Sequence, residues 1–348
     1  MTQCKTIAVD LAKDVYEIGF ANRAHRIVQR KRLNRAAFRK LLTTQPAAVA
    51  VMEACGTAHF WGRFAIQQGH QVKILPAQYV RPYRRRNKTD RADVSALVEA
   101  NRCAEIRPVP VRSIDQQQIQ QLHRMREQWK KTRTARINQL RGCLRELGVF
   151  IPVGAARAIK HATMVLDDDT LPAPLRQIYG HILDDICGVA TNIKACEQQL
   201  AALTDDNNDV RTLNKITGIG PLTSTAMVAA AGSPHHFKSA RHFASWLELT
   251  PRETSSGRRR FLGKISKQGG TYLRTLLIHG ARSTLIHARR RHMAGQPLDQ
   301  LQQWAVGLHD RLGHNKAAVA LANKLARICW ATWKHQRDYD GNFAPAFA

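Results

Sequence analysis

Thr6-Ile7-Ala8-Val9-Asp10 and Ala48-Val49-Ala50-Val51-Met52-Glu53 decide the fold of the N-terminal part of this 348-residue chain. Each is a short apolar run closed by a carboxylate. Runs of this length, rich in small and β-branched residues, read as strands buried on both faces. A carboxylate at the end of such a strand sits where sites form in α/β sheets.

Around these two runs the pattern alternates strand and helix. Residues 5–9 and 15–20 read as strands flanking the bend Asp10-Leu11-Ala12-Lys13-Asp14, and 26–32 as a third strand. A helix is predicted from Asn34 or Arg35 to Leu42, a strand over 47–52, a helix over 58–68 ended near Gly69, and a strand over 71–75 stopped by Pro76. This is an α/β layout with a mainly buried sheet, assigned to residues 1–112.

Asp90 and Asp93 follow in Asn87-Lys88-Thr89-Asp90-Arg91-Ala92-Asp93, at the mouth of a predicted helix. Their i, i+3 spacing puts both on one helix face. Two readings stand side by side. In one, Asp90 caps the helix and Asp93 complements its dipole. In the other, Asp10, Glu53, Asp90 and Asp93 form a divalent-metal centre, since neighbouring carboxylates repel one another unless a cation lies between them. Mg²⁺ suits such an all-oxygen set, and metal ions can activate an attacking oxygen and stabilise a leaving one in phosphodiester chemistry. The run Arg81-Pro82-Tyr83-Arg84-Arg85-Arg86-Asn87-Lys88 beside the acids is suited to hold a phosphate, through Arg84, Arg85, Arg86 and Lys88.

The middle segment, 113–208, is different in kind. Residues 113–147 read as a long polar helix, with Arg126 and Arg133 interrupting its apolar stripe. A Pro- and Gly-rich break through Pro152, Gly154 and Pro172-Ala173-Pro174 follows. Then Leu175, Tyr179, Ile182, Ile186, Val189, Ile193, Cys196, Leu200 and Leu203 mark a heptad seam. An intramolecular helical hairpin and an intermolecular coiled coil both satisfy it.

Residues 209–336 read as mainly helical. Leu213-Asn214-Lys215-Ile216-Thr217-Gly218-Ile219-Gly220-Pro221-Leu222-Thr223 has the form of a helix–hairpin–helix, whose Gly218 and Gly220 would let backbone N–H groups face a phosphate. Helices are predicted over 224–231, 240–247, 272–288, 298–312 and 316–333, and a basic loop over 250–267. That loop carries Pro251-Arg252-Glu253-Thr254-Ser255-Ser256-Gly257-Arg258-Arg259-Arg260 and Gly263-Lys264-Ile265-Ser266-Lys267. A serine beside glycine there can act as a nucleophile toward phosphorus, with Arg258, Arg260, Lys264 and Arg274 stabilising the charge that develops. An ordinary phosphate-binding loop has the same composition. Residues 337–348 form an aperiodic tail.

Composition points to a polyanionic partner. Lys and Arg number 54 against 26 Asp and Glu, a formal net charge of +28, and hydrophobic residues make up 44%, enough for a sizeable core. The basic residues are spread along a folded, enzyme-sized chain, which favours a nucleic-acid enzyme over a basic tail or a membrane-surface protein. The seven Cys include no CxxC pair, and neither a signal peptide nor an apolar run of spanning length is visible. Reduced thiols in a cytosol or nucleoid, with no membrane partner, are therefore expected.

Taken together and in order, Val9-Asp10, Met52-Glu53-Ala54 with Gly56-Thr57, Lys88-Thr89-Asp90 with Asp93, the 216–220 turn, Leu249-Thr250-Pro251-Arg252, Ser256-Gly257, Ile265-Ser266-Lys267, Gly269 or Gly270, and Leu273-Arg274 resemble the DEDD-type transposases of bacterial insertion sequences. These move by bridge-RNA-guided recombination and are relatives of the pilin-gene invertase. The resemblance implies a RuvC-like (RNase H-type) domain, a coiled-coil insertion and a C-terminal transposase domain. It implies Mg²⁺ on Asp10, Glu53, Asp90 and Asp93, and attack on DNA by Ser256, with Ser255 the alternative. In that family a noncoding guide RNA pairs with donor and target DNA. The heptad helix and the need to handle two duplexes add an expected assembly as a dimer or tetramer, and Lys267 joins the expected phosphate contacts of the basic loop. A RuvC-like nuclease that uses water and a non-catalytic nucleic-acid scaffold are the rival expectations.

Overall fold

The computed structural model describes residues 5–85, 89–167, 171–267 and 270–342. Arg86, Lys88 and Gly269, named above, lie outside the described residues. The chain divides into two compact units, Met1–Asp115 and Gln116–Ala348.

The first unit is built on a five-stranded sheet of β1 (Thr6–Asp10), β2 (Val15–Ala21), β3 (Ile27–Asn34), β4 (Val49–Glu53) and β5 (Gln71–Leu75), in the order β3-β2-β1-β4-β5. β1 pairs parallel with β4, and β4 with β5, while the β1–β2 and β2–β3 pairs are antiparallel. Alternation along the strands sends Ile7, Val9, Ile18, Phe20, Ala50, Met52 and Ile74 to one face. There they meet α1 (Arg35–Thr44) and α2 (Ala58–Gln67) through Phe38, Leu42, Trp61 and Ala65. Tyr16, Phe38 and Trp61 pack edge-on at centroid distances of 4.7–5.6 Å. The Trp61 indole N–H donates to the Tyr16 hydroxyl (3.2 Å), so the polar tips of both rings are satisfied inside the core.

The other face, with Ala8, Ala21, Val51 and Leu75, is covered by α4 (Asp90–Ala100) through Val94, Leu97 and Val98, after the short α3 (Ala77–Val80). Gly19 makes this close seating possible, because a Cβ there would collide with the Val94 side chain. The expectation of a mainly buried sheet needs one correction. β3 has no fully buried residue and presents Gln29, Lys31 and Arg32 to solvent, as a charged edge strand does to discourage further pairing.

In the second unit, α5 (Ile114–Arg145), α6 (Ala155–Leu166) and α7 (Ala173–Asp206) form a helical arm. α6 falls where the sequence reads as a break. Its buried stripe, Ala158, Ala162 and Leu166, is too short and small to stand out between flanking Pro and Gly residues. The α7 seam is satisfied within the chain. Tyr179 and Ile186 pack with Ile137, Leu140 and Leu144 of α5 and with the α6 stripe, while Leu200 packs with Ile119. Where Arg126 interrupts the α5 stripe, its guanidinium is buried and pairs with Glu197 of α7 at 2.6 Å.

The remaining elements are α8 (Asn208–Asn214), α9 (Pro221–Ala231), α10 (Ala240–Trp246), β6 (Pro251–Glu253), β7 (Leu262–Ile265), α11 (Thr271–Met293), α12 (Gln300–Leu312) and α13 (His314–His335). Leu213, Ile216, Met227, Phe243, Leu277, Leu285, Leu321 and Trp333 belong to one shared core. His123 of α5 joins α11 to α9. The Tyr272 hydroxyl donates to its Nδ1 (2.9 Å), and its Nε2–H donates to Thr225 Oγ1 (3.0 Å), which donates in turn to the Pro221 carbonyl (2.5 Å). Burial, with Arg126 nearby, pushes His123 down to about 4, so it is neutral as this bond pattern requires. The described part of the aperiodic tail, 337–342, is tied to the rest of this unit. Lys215 pairs with Asp338 (2.7 Å), and the Leu301 N–H donates to the Gly341 carbonyl (3.3 Å).

The turn between α8 and α9 rests directly on α11. Gly218 has φ +86°, and its added Cβ would strike Thr284, while a Cβ on Gly280 would strike the Gly218 carbonyl. Gly280→Ala is therefore expected to destabilise the protein by about 1–3 kcal/mol through overpacking. The measurement is a lowered urea midpoint with unchanged slope.

Candidate active site

The four predicted acids meet on the sheet face covered by α4. Asp10 and Glu53 share strand parity with Ala8 and Val51, which pack on that helix. The parallel register Val9↔Met52 places Asp10 and Glu53 side by side at the C-terminal ends of β1 and β4. α4 brings Asp90 and Asp93 in its first turn. Its cap is Thr89, whose hydroxyl accepts the Ala92 N–H (3.2 Å), so the expectation that Asp90 caps the helix is corrected. Asp90 is instead the first helical residue, with its carboxylate free for other contacts.

The electrostatics register this convergence. Asp10 is pushed up to about 6, first by burial and then by the negative charges of Asp93, Asp90 and Glu53, against which Arg84 acts. Arg84 makes an ion pair with Asp93, and both side chains are largely shielded from solvent. Arg84, expected as a phosphate contact, is thus engaged with an acid, while Arg85 is exposed. The carboxylates do not close onto one point: among the described residues no group of three or more His, Cys, Asp or Glu side chains is placed to hold a metal ion. The donor set nevertheless suits a hard divalent cation in its chemistry, being all oxygen and mutually repulsive.

A fifth acid escaped the sequence reading. Glu17 lies directly across β1–β2 from Asp10, so both side chains stand on the α4 face. Its side chain is only 3% exposed, and Arg32 reaches both Glu17 (3.3 Å) and Asp90 (3.2 Å). Arg30, 3.9 Å from Glu17, donates to Ser95 Oγ (2.8 Å) and to the Arg91 carbonyl (3.2 Å) of α4. The edge strand thereby ties α4 to β2. The available signal was an acid between the buried Tyr16 and Ile18, on a strand paired with the one that ends in Asp10.

The serine lies in the second unit. The expected basic loop 250–267 is corrected to a hairpin, in which β6 pairs antiparallel with β7. At its tip the Ser256 N–H donates to the Arg259 carbonyl (3.2 Å) and the Arg259 N–H to the Ser256 carbonyl (3.1 Å), around Gly257 at φ +56°. The two serines differ. The Ser255 hydroxyl donates to Glu253 (2.7 Å) and accepts the Phe261 N–H (3.3 Å), whereas the exposed Ser256 hydroxyl takes no part in these bonds. Arg260 pairs with Glu253 at 3.1 Å while staying open to solvent, and the Ser255 hydroxyl first, then Arg260, hold the Glu253 carboxyl below its ordinary value. Arg258, Lys264 and Lys267 are exposed on the same hairpin segment.

Arg274 is placed otherwise than expected. It is buried, with its guanidinium committed to Glu248 (2.9 Å) and to Thr271 Oγ1 (3.4 Å), so it presents no cation to an external phosphate. Gly218 has a structural reason of its own in the contact with Gly280, and Gly220 precedes α9 as its cap residue.

Known proteins place this architecture. Residues 210–295 match the Transposase IS116/IS110/IS902 family, and residues 7–149 match a DEDD-type IS110 family described as Transposase. The chain is 37% identical over 336 residues to a probable family 20 transposase of Pseudomonas aeruginosa, covering 96% of this chain and 98% of that protein. It is 34% identical over 341 residues to the transposase for insertion sequence element IS1111A of Coxiella burnetii, covering 97% and 92% of the two chains. With the transposase for insertion sequence element IS1328 of Yersinia enterocolitica it shares 33% identity over 330 residues, 95% of this chain and 97% of that one. The protein is a transposase, an enzyme of the insertion-sequence class. It belongs to the IS116/IS110/IS902 family. Among the described residues no helix is long and apolar enough to cross a membrane.

The acid cluster makes a prediction about stability. The folded carboxyl of Asp10 holds its proton up to about 6, against an ordinary value of 3.8. Its contribution to stability is thus present below that ordinary value and is lost as pH rises through the folded one. Asp10→Asn, which cannot ionise, should be more stable than the native protein near neutral pH in metal-free buffer. The gain expected is about 1 kcal/mol once solvent screening of a half-buried group is allowed for. Urea midpoints measured across the acid range should show the gain fading toward pH ~4.

Proposed function

We propose that this transposase is an RNA-guided DNA recombinase, in which Ser256 is the nucleophile and the carboxylates of Asp10, Glu53, Asp90 and Asp93 hold Mg²⁺. The observation that carries the reading is the convergence of those four acids on one end of a sheet whose order, β3-β2-β1-β4-β5, is compatible with a RuvC-like domain. Bound there, Mg²⁺ would supply positive charge to a phosphodiester and its departing oxygen.

The chain's own residues supply the rest. The Ser256 hydroxyl gives up its proton to the medium and forms an O–P bond to the scissile phosphate. The P–O bond to one deoxyribose oxygen breaks, and that strand end takes a proton from the medium and leaves as a hydroxyl. The phosphoserine ester conserves the bond until a hydroxyl of the other DNA duplex attacks phosphorus and releases the serine. Arg258, Lys264 and Lys267 are exposed around the tip and suited to stabilise the extra phosphoryl charge. Arg85 offers a further phosphate contact near the acids, and Arg86 and Lys88 extend the same basic run in sequence. Donor and target DNA would be matched by a noncoding guide RNA, with the protein binding backbones, in keeping with the net charge of +28. Two duplexes must be handled at once, which favours a homo-oligomer of dimer or tetramer form working on the bacterial nucleoid in the cytoplasm.

Coexpression of the chain with the DNA flanking its gene, followed by capture of protein–DNA adducts under denaturing conditions, tests this. Ser256→Ala should abolish the adduct, and Ser255→Ala should retain it at a lowered level. An adduct that survives Ser256→Ala would falsify the serine assignment. Free nicked ends without any adduct would instead support hydrolysis by water on the acidic site.

A further inference from the structure

The serine hairpin is gripped at its base by a buried ion pair. Glu248 stands just before the hairpin segment, at the end of α10, and Arg274 just after it, in the opening turns of α11. The two are 8% and 6% exposed, and their 2.9 Å contact links positions that are 26 residues apart in sequence. Arg274 also donates to Thr271 Oγ1 (3.4 Å), at the first residue of α11.

The backbone around the pair is costly to maintain. Glu248 has φ +57° and Lys267 φ +55°, so a non-glycine residue occupies the left-handed region on each side of the hairpin. Glu248 follows α10 at the position where glycine is the favoured helix terminator. A glycine there would satisfy the same turn without strain. The carboxylate is what glycine could not provide, and its partner is the buried guanidinium. Asn323 of α13 adds a third hold, donating to the Leu249 carbonyl (3.1 Å). Nearer the tip, Arg252 donates twice to the Ser266 carbonyl (3.2 and 2.8 Å), which joins the two arms of the hairpin. The hairpin itself is exposed and contributes no residue to the core, so contacts at its base decide its direction.

We propose that Glu248 and Arg274 are positioning residues for the nucleophile: a charge clamp that closes the base of the hairpin and sets the direction in which Ser256 is presented to DNA. The proposal rests on the assignment of Ser256 as nucleophile. It gives Arg274 a role through the hairpin rather than at the phosphate.

A buried ion pair can often be replaced by apolar groups without loss of stability, whereas removing one partner alone leaves an uncompensated charge. The test is therefore the double variant Glu248→Gly with Arg274→Met, which also relieves the left-handed backbone. It is compared with the native chain, Ser256→Ala and the conservative Arg274→Lys, each coexpressed with the DNA flanking the gene. The double variant should keep its thermal midpoint and its salt-dependent DNA affinity. Its adduct formation should fall at least tenfold, and amide exchange at 250–266 should accelerate. Arg274→Lys, which keeps the charge pair, should form adduct within tenfold of native. Adduct formation by the double variant within threefold of native would overturn the clamp, and so would a folded, DNA-binding Arg274→Lys that forms none, since the guanidinium would then act at the phosphate. If the double variant does not fold, Glu248→Gln, which keeps a hydrogen-bond acceptor for Arg274, is decisive when adduct is measured per folded protein below its thermal midpoint: a loss of several-fold supports the clamp, and an unchanged rate overturns it. Survival of the adduct in Ser256→Ala would remove the nucleophile assignment itself, an outcome distinct from all of these.

Discussion

Repulsion among carboxylates gathered at one end of a sheet is the constraint around which the first unit is built. Asp93, Asp90 and Glu53 all bear on Asp10, and Glu17 adds a fifth negative group across the strand. Such a grouping survives folding only if cations oppose it. Arg84 answers Asp93, and Arg32 bridges Glu17 and Asp90. These arginines come from the segment before α4 and from the edge strand β3. The edge strand is thus a source of counter-charge that holds α4 over the acids as well as the border of the sheet.

The second unit solves a different problem, the support of an exposed hairpin from a helical core. The core is fixed by close contacts that tolerate little change. Gly218 lies against Gly280, and the Tyr272–His123–Thr225 hydrogen bonds run from α11 through α5 to α9. The hairpin, with its tip serine, projects from that frame on short strands without a core of its own. Rigid support and an exposed serine are therefore separated within a few residues, as the proposed nucleophile role would require. That suits a group which must reach a bulky substrate and still arrive in one orientation.

Much of this was legible in the residues because it depends on local pattern. The strand ends at Asp10 and Glu53, the helix carrying Asp90 and Asp93, and the α7 seam all follow from periodicity and from where apolar runs stop. Three features were not legible. The helix α6 has a stripe of small residues that gives a weak signal. The strands β6 and β7 are too short and polar to be told from a loop, because cross-strand pairing and not propensity makes them. Glu17 reads in sequence as a stray acid inside a strand, and only the antiparallel register sets it opposite Asp10.

Sequence by itself determined the order of the main strands and helices of the first unit, the family, the basic character of the chain, and four candidate acids and the candidate serines. These depend on composition, spacing and local backbone preference, all of which a linear chain displays. Tertiary structure decided the partners of each charge. Arg274 looks in sequence like one more cation of a basic segment, yet folding buries it against Glu248, and Ser255 differs from its neighbour because its hydroxyl bonds to Glu253 and to the Phe261 N–H. Those outcomes turn on contacts between residues whose approach in space the linear order does not encode, and on burial, which turns a charge from a free surface group into one that must find a partner.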